Sequence, residues 1–208
     1  MSKLYLAVGS LFTQTPEEDP EEFEDEQARI SEMQAWLADQ GVKVDLLSEP
    51  GRQMWHGEVA EFAHIYHLRV IAAHLGERRD IAKFLEPRLA RTAEPDPVLA
   101  AVWNGSAPTP YDHLINHTLT DGFYLPVDFA SPIWAGEGDE EEDDEEEPDE
   151  SVVSFGSSVA LARELTELKR ALAKHKLPVN HPAYVALLTL DEAARHSVAH
   201  KMPVSIWE

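Results

Sequence analysis

The chain has 208 residues, 43% of them hydrophobic, with five tryptophans, no cysteine and a formal net charge of −22. That length and apolar content suffice for a packed core and exclude a wholly disordered chain. The lack of cysteine excludes a disulfide framework, a thiolate metal site and a cysteine nucleophile.

In chain order, KLYLAVGSLF (residues 3–12) reads as a buried strand, short and apolar with Tyr and Val inside it. The acidic, proline-bearing stretch after it leads into a helix over 23–41. There Phe23, Ile30, Met33, Trp36 and Leu37 recur at helical spacing, acids gather at the positive end of the dipole, and Gly41 is a stop. VKVDLL (42–47) is expected as a second strand, followed by a turn, then a strongly apolar helix over 58–75 and a shorter amphipathic one over 81–89. DPVLAAVW adds a turn or two of helix. The next stretch predicts a short helix with Thr109 as cap, Pro110 at its first position and Asp112 at the capping-box position.

FYLPVDF (123–129) is extended, and Pro126 places it at a sheet edge. SVVSFGSS predicts a strand running into a helix that carries Leu161, Leu165, Leu168 and Leu172 on one stripe. A last helix with Thr189 as cap and Glu192 as its reciprocal partner precedes a closing strand, MPVSIWE. The fold class read from this order is α+β or α/β. It would be a helix-rich single domain over 1–208, with a small sheet formed by short strands near both termini and a disordered acidic insertion at 136–150.

The charge is concentrated. Residues 137–150 contribute −12 and residues 17–26 contribute −8, which leaves −2 for the rest of the chain. Two dense negative segments repel phosphate, so nucleic acid and anionic membrane are excluded as partners and a basic protein is favoured. The candidate partner-binding residues are Trp134 and the acids that follow it: Glu137, Asp139, Glu140, Glu141, Glu142, Asp143, Asp144, Glu145, Glu146 and Glu147. Tryptophan is favoured at interface centres, and acids steer encounter with a basic surface.

Ten histidines offer three arrangements that can bring two imidazoles to one metal: His113 with His117, His196 with His200, and His64 or His67 with His74. On a helix, Leu114, Ile115, Thr118 and Leu119 share one face, which turns His113 and His117 towards water. His196 and His200 flank an apolar stripe of Leu190, Ala194 and Val198 and read as rim residues. His67 and His74 project away from Glu58, Glu61 and Arg69 and are expected to be partly buried. Buried histidines are more often hydrogen-bonded core residues than ligands, but these two are the candidate metal ligands. FGSS before the leucine-striped helix could hold an anion, yet it lacks a Walker lysine and the dinucleotide glycines, so a simple cap explains it better. No catalytic motif fixes an activity.

The sequence therefore predicts a non-enzymatic, acidic cytoplasmic binding protein that recognises and inhibits a basic protein. In charge and size, though in no motif, it resembles the bacterial immunity proteins. No cofactor is called for. The alternative is a metal-binding protein or metal-dependent enzyme that holds its ion through His67 and His74. No stretch approaches the roughly 18 apolar residues that cross a bilayer, and residues 4–12 lack the features of a secretory signal.

Overall fold

Alternation sets the first strand. In β1 (Leu4–Gly9), Leu4, Leu6 and Val8 are buried while Tyr5 is exposed. The computed structural model describes residues 3–86, 95–136 and 152–208. β1 is followed by helix α1 (Pro20–Asp39), β2 (Gln53–Val59), α2 (Phe62–Gly76), a 3-10 turn at Ala82–Phe84, α3 (Pro97–Trp103) and α4 (Asp112–Ile115). Then come β3 (Gly122–Leu125), β4 (Ile133–Ala135), β5 (Val153–Ser157), α5 (Ser158–Lys174), α6 (Pro182–His200) and β6 (Val204–Trp207). The strands form one sheet in the order β2-β1-β6-β3-β5-β4, in which β3 and β5 are parallel and every other pair is antiparallel. The fold is α+β. The strands near the two termini, β1 and β6, pair directly, and the middle of the chain supplies the rest.

The sheet is covered unequally. On one face α2, α5 and α6 pack over Leu4, Leu6, Val8, Tyr124, Val204 and Ile206, and the whole Leu161, Leu165, Leu168, Leu172 stripe is buried there. On the other face α1 covers only the half built from β3, β5 and β4. There Ile30 and Leu37 join Phe12, Leu125 and Phe155, and Trp36 lies 5.8 Å from the Phe155 ring.

Several expected elements differ. Residues 42–47 form no strand. Val42 and Leu46 are buried under α1, and the Leu46 N–H donates to the Gln34 side-chain oxygen at 2.8 Å, so a side chain takes the place of a ladder partner. Residues 53–59, partly assigned to a helix, form β2, so α2 begins only at Phe62. Of the helix expected over 81–89, residues 82–84 form a 3-10 turn and 87–89 lie outside the described residues. β3 sits inside the sheet, because Pro126 falls one residue past its end. α6 starts at Pro182 with His181 as its cap, and Thr189 lies mid-helix with its hydroxyl on the Val185 carbonyl.

The single turn α4 is held by buried polar side chains at both ends. Glu164 of α5 accepts the His113 and Leu114 N–H groups at 2.9 Å each, and Arg69 of α2 donates to the carbonyls of Leu114 (2.7 Å) and His117. Carboxyl oxygens that accept at the positive end of a helix and a guanidinium at the negative end match its dipole. Arg69, expected on a solvent face, is buried for this reason.

Candidate acidic interface

α1 begins where Asp19 caps it, accepting from the Glu22 N–H at 3.1 Å, with Pro20 at the first position. Its apolar stripe faces the sheet, so the intervening acids face outward: Glu21, Glu22, Glu24 and Asp25 are exposed, as are Glu17, Glu18 and Asp19 before them. Residues 21–25 span four helical rises, about 6 Å. Four carboxylates in that distance give about one charge per 1.5 Å, against roughly one per 1.7 Å of axis in duplex DNA.

Glu26 is the exception in this cluster. It is buried and accepts from the Thr13 hydroxyl and from the N–H groups of Thr13 (3.0 Å) and Gln14 (3.2 Å). Burial alone would raise its carboxyl, but these donors hold it below the usual carboxylate range. One acid is thus spent on fastening the start of α1 to the chain leaving β1.

The second acidic segment joins β4 to β5. Ala135 faces Val153 in an antiparallel pair, so the two strands pin both ends of the connection. The insertion called at 136–150, with the partner-binding acids from Glu137 to Glu147, lies outside the described residues apart from Gly136. Its roots do not. Trp134, on edge strand β4, is 47% exposed, and Val152 beside it is 41% exposed, leaving an apolar patch at the base of the run.

Strand directions place the start of α1 and the two strand ends that flank the second acidic segment at opposite ends of the sheet. β1 runs with β3, since both are antiparallel to β6, and β3 runs with β5. The chain leaving β1 stays at that end, where the Ser10 N–H donates to the Arg52 carbonyl at 2.8 Å, and it leads to Glu26 and the start of α1. The 137–151 connection leaves from the start of β5, at the other end.

The histidines are dispersed. His67 and His74 are both buried on α2 but two turns apart, about 10 Å along the axis. The His67 ring stands 4.9 Å from that of His181, and burial, with His181 adding, pushes it down to about 4. His74 faces Asp96 at 3.1 Å, a residue that also caps α3. Among the described residues no group of three potential metal ligands converges. His113 and His117, expected to face water, are buried, because α4 ends after one turn and the helical wheel does not extend to His117. His117 accepts from the Leu119 N–H at 2.9 Å, donates to the Phe123 carbonyl at 3.2 Å and stacks on Tyr124; burial pushes it down to about 3. His196 and His200 stack on one another at the rim, where His196 also meets Trp55, while Val198 is 40% exposed. Gly156 to Ser158 form a cap, with the Ser157 hydroxyl accepting the Ala160 N–H at 3.0 Å.

Among the described residues no helix is long and apolar enough to cross a membrane. Residues 2–206 match the family model described as "Putative DNA-mimic protein", so the chain belongs to that family. No curated protein and no solved structure matches it. The family assignment overturns the immunity-protein-like reading and its metal-dependent alternative: acids in a DNA mimic stand in for phosphates, so they address proteins built to hold DNA. Composition measured the charge correctly but carried no information that the chain belongs to a DNA-mimic family.

Proposed function

We propose that this member of the DNA-mimic family occupies the DNA-binding face of a basic DNA-binding protein in the cytoplasm and so keeps that protein from DNA. The observation that carries this reading is the exposed carboxylate density of α1 at Glu21, Glu22, Glu24 and Asp25, which is close to that of duplex phosphates over this short length. The acids from Glu137 to Glu147 add to the negative charge of the chain, and exposed Trp134, on the strand that precedes them, supplies an apolar anchor. The chain would act as one domain, with acids governing the rate of encounter and the tryptophan the lifetime of the complex.

The test is capture of proteins on the immobilised chain followed by elution with duplex DNA. The expected result is that the retained proteins bind DNA and are released by duplex, but not by a polyglutamate of equal total charge. Neutralising α1 as E21Q/E22Q/E24Q/D25N should abolish capture while urea unfolding stays unchanged. Retained proteins that duplex fails to displace, or a neutralised variant that captures as well as the original, would refute the reading. Trp134→Ala should weaken capture with stability intact; a loss of stability instead would make the residue part of the core.

A further inference from the structure

α1 leaves half of its side of the sheet bare. Tyr5 and Ala7 of β1 point away from the α2, α5, α6 layer, which takes Leu4, Leu6 and Val8. Register puts Glu58 and Trp207 beside Tyr5, and His56 and Ser205 beside Ala7, so these six side chains share one face. The register shift in the β1–β2 pair lies beyond them, between Val8 and Gly9. Phe123, opposite Ser205, continues the same face under α1. The core beneath α1 takes strand residues from β3, β5 and β4, and among the described residues none from β2, β1 or β6. His56 and Glu58 are exposed, Tyr5 is 40% and Trp207 46% exposed, and the last two rings stack with centroids 6.2 Å apart.

Width and charge decide what fits there. Three strands at a spacing of about 4.8 Å span about 10 Å from β2 to β6, and a helix with its side chains is about 10–12 Å across. α1 covers the other three strands, so one further helix completes the layer. Its chemistry is set by what borders it. On α1, Glu21, Asp25, Glu32 and Asp39 are exposed and fall in one line along the helix, over about 27 Å. The floor supplies Glu58 and the stacked Tyr5 and Trp207 rings, whose π faces attract cations. Among the described residues the cation seated on a ring is Lys83 over Phe84, while Lys3, near Tyr5, is paired with Glu58 in a surface contact that exchanges at little cost.

We propose that this bare half-sheet seats a cationic helix of the DNA-binding protein, alongside α1, with arginine or lysine side chains resting on Tyr5 and Trp207 and pairing with Glu58 and the α1 acids. The docking rests on the DNA-mimic reading and adds a floor to its acidic wall. The major groove of duplex DNA admits one helix beside lines of phosphate and over a floor of base edges. Here carboxylates stand in for the phosphates and stacked rings for the bases. A second copy of the chain is opposed by its net charge of −22.

The probe is an alanine-based helical peptide with arginines along one face, titrated into the isotope-labelled full chain at about 0.15 M salt and followed by nuclear magnetic resonance. The Trp207 indole and the amides of β1, β2 and β6 should shift, while the indole of Trp55, stacked on His196 across the sheet, should not. Tyr5→Ala and Trp207→Ala should each weaken binding at those amides by about five- to tenfold, with the urea midpoint unchanged. Trp207→Phe should keep most of it. Shifts confined to the α1 acids, equal binding by a peptide in which prolines break the helix, or indifference to both alanine substitutions would overturn the docking. So would a dimer in sedimentation that Trp207→Ala abolishes, since the occupant is then a second copy. The two readings fail separately. Captured proteins that duplex releases but Trp207→Ala holds as well overturn the docking and leave DNA mimicry standing. Peptide binding at Trp207, with captured proteins that duplex does not release, supports the cationic-helix seat and refutes the mimicry.

Discussion

Glu164 offers a direct test of how burial and hydrogen bonding compete at the centre of the fold. Its carboxyl is buried, and desolvation pushes it up to about 7 although the His113 and Leu114 N–H groups oppose the shift. The folded value lies above the unfolded one of about 4.5, so between those limits the folded chain keeps a proton that the unfolded chain has released. The stability that Glu164 contributes is therefore fully present below about pH 4.5 and is lost as pH rises to about 7. A shift of that size corresponds to about 3 kcal/mol, of which about 2 kcal/mol falls above pH 5.5, clear of the isoelectric region.

The perturbation is Glu164→Gln, measured by urea unfolding with tryptophan fluorescence at about pH 5.5 and about pH 8. Glutamine turns an NH2 towards one of the two backbone donors, a cost of about 1–3 kcal/mol that does not depend on pH. Buried neutral His67 and His117 and the hydrogen-bonded Glu26 impose the opposite pH trend on both proteins. That trend cancels in the difference. The advantage of the original chain over the variant should shrink by about 2 kcal/mol, about 30-fold in the folding equilibrium, from the lower pH to the higher. If the difference is constant, or grows with pH, the two N–H donors outweigh burial and Glu164 is an ordinary ionised cap.

Three other substitutions probe separate layers of the structure. Leu165→Ala removes a fully buried side chain from the α5 stripe and should cost about 2–5 kcal/mol, read as a lower urea midpoint at unchanged slope. Ser157→Ala deletes the α5 cap and a 2.7 Å hydrogen bond to the Val127 carbonyl, for about 1–2 kcal/mol by the same assay. Gly156→Ala would bring a methyl to 2.5 Å from the Tyr124 ring and 2.9 Å from that of His117, a collision the close-packed interior cannot absorb. Loss of near-ultraviolet circular dichroism or of soluble protein is expected.

The sequence showed its elements best where one physical rule decided them. The leucine stripe of α5, the acids and apolar spacing of α1, and the strands at the two termini were all read from periodicity and capping. Failures came where tertiary partners decided instead. Residues 42–47 look like a strand and are buried like one, but their backbone is served by a glutamine side chain and by packing under α1. β2 holds a glycine and an exposed glutamate and histidine, so no alternation announced it; its strand form comes from pairing with β1. The buried pair His113 and His117 was misread because an amphipathic wheel assumes that the helix continues. Both acidic segments were legible as charge. That the start of α1 and the strand ends flanking the second segment lie at opposite ends of one sheet was not, since it depends on strand order.

Strand order has one more consequence. The acidic run divides the chain into a first part that supplies β1 to β4 and a second that supplies β5 and β6, and in the sheet these alternate, with β6 between β1 and β3 and β5 between β3 and β4. A protease that cuts within 137–151 therefore produces two fragments woven through one another, each completing the other's hydrogen-bond ladders. The run can be nicked, lengthened or shortened without releasing either piece, so its length and charge can vary while the interleaved strands preserve the scaffold.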